Sequence, residues 1–127
     1  MAARVERFEE LVAWRLAREL AREIYRACRG PKLSRDSALA NQLTRAAGST
    51  MANIAEGFDR HGPREFHRFL STANGSNAEV RSHLYLAFDA GYMDEAEFQR
   101  LKAMAEETSR VIAGLRAAVR RSITKEQ

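Results

Sequence analysis

One cysteine, one tryptophan and two prolines are spread over a chain of 127 residues. A single cysteine, Cys28, rules out an internal disulfide and fits a reducing compartment. Two prolines and seven glycines are too few for a turn-rich β protein. No run approaches the roughly 18 apolar residues of a membrane span. The opening MAARVERFEE has no apolar stretch of the kind a secretion signal needs. The expectation is a soluble, cytoplasmic protein with no membrane partner.

Metal and cofactor chemistry is also poorly supplied. The residues three before His61, His67 and His83 are Phe58, Arg64 and Val80, so the Glu-x-x-His pairs of di-metal bundles are missing. Neither H-x-x-x-H nor C-x-x-C occurs, nor does a P-loop or G-x-G-x-x-G. Ser49 and Ser76 have no histidine or lysine beside them to mark a nucleophile. No catalytic residue, metal, cofactor or small-molecule substrate is expected. An enzymatic reading would need a pocket holding Glu56 or Glu79 without an arginine partner.

What is present is helix-forming. Hydrophobic residues make up 45% and charged residues 30%, ordinary values for a globular chain, and Ala, Leu, Glu and Arg dominate. Residues 1–127 form one domain, long enough to bury roughly two-thirds of the unfolded surface. Apolar spacing and punctuation predict helices at about 4–29, 36–59, 63–90 and 94–122. Gly30-Pro31 stops the first, Ser34 or Asp36 caps the second, and His61-Gly62-Pro63 separates the second and third. Gly91 ends the third, and Asp94 with Glu97 forms a capping box for the fourth. Ser76 and Glu79 would also fit a capping box, but the apolar stripe from Phe66 to Ala87 favours one continuous third helix. Four long helices with short connections predict an all-α, antiparallel up-down-up-down four-helix bundle.

Three features exceed what such a bundle needs. Phe8 and Val12 point almost opposite to the Trp14–Ala17–Ala21–Ile24–Cys28 stripe at about 100° per residue, leaving a spare apolar face that suits an oligomer interface. Between residues 42 and 80, small and polar side chains stand where Leu or Ile would be usual. If the second and third helices pair about Gly62, Arg45 falls near Glu79, and Glu56 comes within reach of Arg60 or Arg68. Arg45, Asn53, Glu56, Arg60, Ser76 and Glu79 are therefore expected to form a polar network that fixes helix register. Gly75, costly in mid-helix, suggests a close backbone approach. Finally, residues 110–125 hold Arg110, Arg116, Arg120, Arg121 and Lys125 and no acidic residue, within a net charge of +4. The run complements its own helix dipole and is also a candidate nucleic-acid surface.

These residues resemble a bacterial family, the four-helix bundle proteins also called 23S rRNA-intervening sequence proteins. The segments are LVAWRLAREL at 11–20, QLTRAA at 42–47, NIAEG at 53–57 with Arg60, and Glu65-Phe66, Phe69-Leu70, Ala73, Gly75-Ser76 and Glu79, followed by Gly91-Tyr92-Met93. They cover roughly residues 8 to 115, and the combination of N-I-A-E-G with A-x-G-S-x-x-E is the specific part. Ala13 replaces the usual Val, and Phe58-Asp59 departs from the usual small or aromatic residue followed by Gly or Ser. The resemblance implies a ring-like homopentamer, which would cover Phe8 and Val12. It also implies a link to sequences inserted in large-subunit rRNA genes, and to accessory subunits of diversity-generating reverse transcriptases. The leading functional expectation is a non-enzymatic oligomer that binds structured RNA or a ribonucleoprotein through arginines. The alternative is a scaffold or accessory subunit, for example of a reverse transcriptase, with no direct nucleic-acid role.

Overall fold

The computed structural model describes residues 4–126, with side chains through residue 123. Its helices are α1 (Val12–Cys28), α2 (Ser37–Asp59), α3 (Pro63–Asp89) and α4 (Glu95–Glu126), with no strand among the described residues. Each helix packs on its sequence neighbours and α4 closes on α1. This is the antiparallel up-down-up-down bundle expected from spacing.

Local chemistry sets most boundaries. Asp36, rather than Ser34, caps α2: its Oδ1 accepts from the Leu39 amide at 3.1 Å. The other carboxylate oxygen accepts from the Tyr92 hydroxyl at 3.0 Å, tying the start of α2 to the α3–α4 turn. Pro63 occupies the first turn of α3, where its missing N–H costs nothing. At its other end Gly91 takes φ +79°, and the Tyr92 amide reaches back to the Ala87 carbonyl at 2.9 Å, a Schellman termination. Asp94 Oδ1 accepts from the Glu97 amide at 2.8 Å and starts α4. The helix α3 runs unbroken through Asn74-Gly75, so Ser76 and Glu79 form no cap there.

The start of α1 differs from the expectation of a helix from about residue 4. Phe8–Glu10 is a 3₁₀ turn, Leu11 is extended, and the α-helix begins at Val12. A straight helix would leave Phe8 on the far side. The break turns it inward, so that its ring meets Trp14 edge-on at 5.1 Å and Leu11 is buried. Arg15 Nε donates to the Glu9 carbonyl at 2.7 Å and holds the bend. Phe8 thus serves the chain's own core, whereas Val12 remains 60% exposed. The spare apolar face is reduced to Val12.

The core has two apolar halves. One is built on Leu20, Ile24, Leu33, Leu43, Leu84 and Leu101; the other on Leu11, Ile54, Leu70 and Ile112. Buried polar side chains, Thr50, Asn77 and Thr108, lie in the middle helical turns of α2, α3 and α4. Helices α2 and α3 approach closely at Gly57, where an added Cβ would stand 2.5 Å from the Phe69 Cβ. Gly75 does not mark such an approach. It is exposed, and a Cβ there would meet nothing within 4 Å.

Opposite effects follow for two glycines. Gly57→Ala should destabilise the fold by about 1–3 kcal/mol through overpacking. Gly75→Ala should raise stability by about 0.5–1 kcal/mol, because only backbone entropy changes. Urea midpoints of both variants test this; a destabilised Gly75→Ala would show that the outer face of α3 is not free.

Candidate functional site

The small and polar residues of α2 and α3 converge on a seam between those helices. Ser49 and Ser76 hydroxyls share a hydrogen bond of 2.9 Å. Asn53 Nδ2 donates to the Ser49 carbonyl at 2.8 Å and to Ser49 Oγ at 3.1 Å. Glu56 pairs with Arg60 at 2.8 Å, one turn along α2, while Arg68 pairs instead with Glu65 at 2.7 Å. The Arg68 guanidinium holds the Glu65 carboxyl below the usual carboxylate range.

The expected Arg45–Glu79 ion pair is not formed. Both side chains are exposed and make no hydrogen bond or ion pair among the described residues. They line a shallow cleft of about 390 Å³ together with Gln42, Ser49, Ser76 and His83. Sequence spacing places the two residues opposite each other but cannot fix side-chain reach across an open groove. The expected network is therefore two units: the Ser49–Asn53–Ser76 cluster, and the separate Glu56–Arg60 pair. Glu79 stands in this cleft without an ion pair, yet no hydrogen bond joins it, His83 or either serine into a nucleophile–base relay.

The basic run of α4 divides between two faces. Arg116 is half-buried against α3, its Nη1 3.4 Å from Ser71 Oγ, with Arg120 one turn beyond. Arg110 and Arg121 share a different, outward line of α4 and are exposed. The helical period sets Arg110 and Arg116 about 120° apart. The side chain of Lys125 lies outside the described residues.

A second polar cluster escaped sequence reasoning. Glu23, only 11% exposed at its side chain, accepts from Arg100 at 2.6 Å and pairs with Arg26 at 3.1 Å; Arg100 also binds Glu97. Glu23 sits on the buried face of α1, so its burial was a usable signal for a missing partner. Seventy-seven residues separate it from Arg100, and nothing local points that far. The Arg100 hydrogen bond, followed by the charges around it, lowers the Glu23 pKa despite desolvation. Cys28 is buried, and desolvation pushes its thiol up to about 11. No group of three or more His, Cys, Asp or Glu residues is placed to hold a metal among the described residues. No helix among them is long and apolar enough to cross a membrane.

The comparisons with known proteins agree with this geometry. The family model described as 23S rRNA-intervening sequence protein matches residues 9–114. No curated protein matches the chain. Among solved structures, one is described as a protein of unknown function from the S23 ribosomal protein family of Bacteroides thetaiotaomicron VPI-5482. It aligns with a TM-score of 0.73 at 18% identity, over 82% of this chain and 97% of that one. At that identity the likeness establishes a common fold.

Two outcomes are expected. A carboxylate with a lowered folded pKa contributes stability that is present above its unfolded pKa, about 4.3, and lost as pH falls through the folded value. Glu23→Gln should therefore be less stable than the parent at pH 7, and the gap should close toward pH 3; an unchanged gap in urea midpoints would refute the pairing. Cys28 should resist a thiol-specific disulfide reagent at pH 8 until denaturant is added. Rapid modification of the native protein would place the thiol at the surface.

Proposed function

The chain belongs to the 23S rRNA-intervening sequence protein family, and from that premise we propose a non-enzymatic, self-associating bundle that binds structured RNA or a ribonucleoprotein. The observation that carries this reading is the unneutralised basic charge. Net charge is +4 and the sequence pI is near 9.7, while Glu19, Glu56, Glu65 and Glu97 are engaged with neighbouring arginines on the same helices. Arg110 and Arg121 project from α4 with no partner among the described residues. Guanidinium groups make planar, bidentate contacts with phosphate.

Self-association, as a homopentamer, is the assembly proposed. Its support is the exposed apolar side chains Val12, Tyr25 and Leu86, of which Val12 and Leu86 are more than half exposed. Repetition of a weak basic surface around a ring would raise affinity through multivalency. A cytoplasmic location fits an RNA partner and a free, reduced Cys28. The rival reading is a scaffold or accessory subunit that contacts protein alone. It is favoured by the Arg45–Glu79 cleft, whose two charges balance and make no ion pair among the described residues.

Light scattering with and without total cellular RNA tests both halves. The free protein should scatter as a multiple of 14.3 kDa, and RNA should shift it further in a salt-sensitive way. A 14.3 kDa particle at high concentration would remove the assembly. Failure to retain structured RNA in gel shifts at low salt would remove the nucleic-acid role, and capture of a protein partner that survives nuclease would favour the scaffold.

A further inference from the structure

The groove between α3 and α4 gathers cations from two facing helices. From α3 it is edged by Arg64, His67, Ser71, Ala78, Arg81 and Tyr85, which recur at spacings of three, four and seven. From α4 come Lys102, Glu106, Ser109, Ala113, Arg116 and Arg120 at the same period. Three cross-helix contacts show that these lines face one another. Ser109 Oγ donates to Asn74 Oδ1 at 2.9 Å, Arg116 reaches Ser71, and Lys102 Nζ lies 5.9 Å from the Tyr85 ring centre. One end opens into a hollow of about 450 Å³ between Arg81, Tyr85, Lys102 and Glu106.

Cations outnumber carboxylates along these lines, where Glu106 stands between Lys102 and Arg116, and Asp89 and Glu95 continue the two lines past Tyr85. Arg64 and Arg81 make no ion pair or hydrogen bond among the described residues, Arg116 touches a neutral hydroxyl, and Lys102 rests over a ring. Elsewhere Arg45, Arg110 and Arg121 also lack an ion pair among the described residues, but five arginines have one. Arg22, Arg26, Arg60, Arg68 and Arg100 are each tied to a carboxylate of this chain. Of the flanking acids, Glu65 is held by Arg68, and Glu107 lies on the outward line of α4. The middle of the groove is lined by Ser71, Ala78, Ser109 and Ala113, so a ligand can come close to the helix backbones.

We infer that a single polynucleotide strand lies along the α3–α4 groove, its phosphates on Arg64, Arg81, Lys102 and Arg116 and one base against Tyr85. This rests on the nucleic-acid reading above and specifies its track. From residue 64 to residue 85 the helix spans about 31 Å, room for several nucleotides of the kind single-strand sites hold. Packed helices lie about 8–10 Å apart, which gives a furrow too narrow to seat a duplex. Tyr85 is 48% exposed, and an exposed ring on a basic track is the usual platform for a base.

Fluorescence anisotropy with a labelled 12-nucleotide RNA, its DNA equivalent and a 12-base-pair RNA duplex tests this on the whole chain. Wild type should prefer the single strand to the duplex and bind RNA and DNA within threefold, with a log–log salt slope of about −3 for four phosphates. Arg81→Ala/Arg116→Ala should weaken binding at least tenfold and flatten the slope by about 1.4. Arg29→Ala/Arg35→Ala removes the same charge from the exposed α1–α2 connection and should cost less than threefold. Arg81→Lys/Arg116→Lys should bind within threefold of wild type; failure to do so would mark the alanine loss as structural and overturn the groove. Equal losses from the two alanine pairs, tighter duplex binding, or equal competition by polyglutamate would each overturn it while leaving the broader reading standing. No binding of any nucleic acid by wild type would remove both.

Discussion

The near-contact of α2 with α3 governs this bundle. Where Gly57 meets Phe69, no Cβ fits, and the buried Ala46, Ala47 and Ala73 keep the same interface thin. Large side chains would push the helices apart and open the core on both sides. A glycine in mid-helix costs about 1 kcal/mol against alanine, and at Gly57 dense packing offsets it. The hydroxyl bond between Ser49 and Ser76 crosses the same interface. Gly57 is a consequence of distance, whereas Gly48 and Gly75 stand in open space.

Register is set in the middle of the molecule. Asn77 is fully buried in α3 and donates to the Ala105 carbonyl of α4 at 2.8 Å. A slip of one turn would strand that amide in an apolar layer, at a cost of about 1–3 kcal/mol. Its Oδ1 already lacks a partner among the described residues, so the site favours a unique alignment more than maximal stability. Ser109 with Asn74 repeats the constraint nearer the surface. The same alignment brings Arg116 beside Ser71 and Lys102 beside Tyr85. Core specificity thereby decides which surface charges become neighbours.

Charge is apportioned by face. Around α1 and the start of α4, Glu23, Arg26, Glu97 and Arg100 neutralise one another. Across α2 and α3, Arg45 and Glu79 leave a balanced cleft. Between α3 and α4, Arg64, Arg81 and Arg116 make no ion pair among the described residues, and Arg110 and Arg121 add charge on the outward line of α4. An anion approaching this molecule meets a direction, not a uniform field.

The ends of the helices were readable from the chain alone because each depends on a few adjacent residues. Asp36 and Asp94 cap through their own side chains, Gly91 supplies a left-handed turn, and Pro63 fits a first turn. The apolar period likewise gave the class of fold. The extended Leu11, the inward Phe8, the unjoined Arg45 and Glu79, and the Glu23–Arg100 bond were not readable. Those features depend on how far each helix is shifted and rotated against the others. That placement is a sum over the whole core, held in no single segment, and only the assembled bundle decides it.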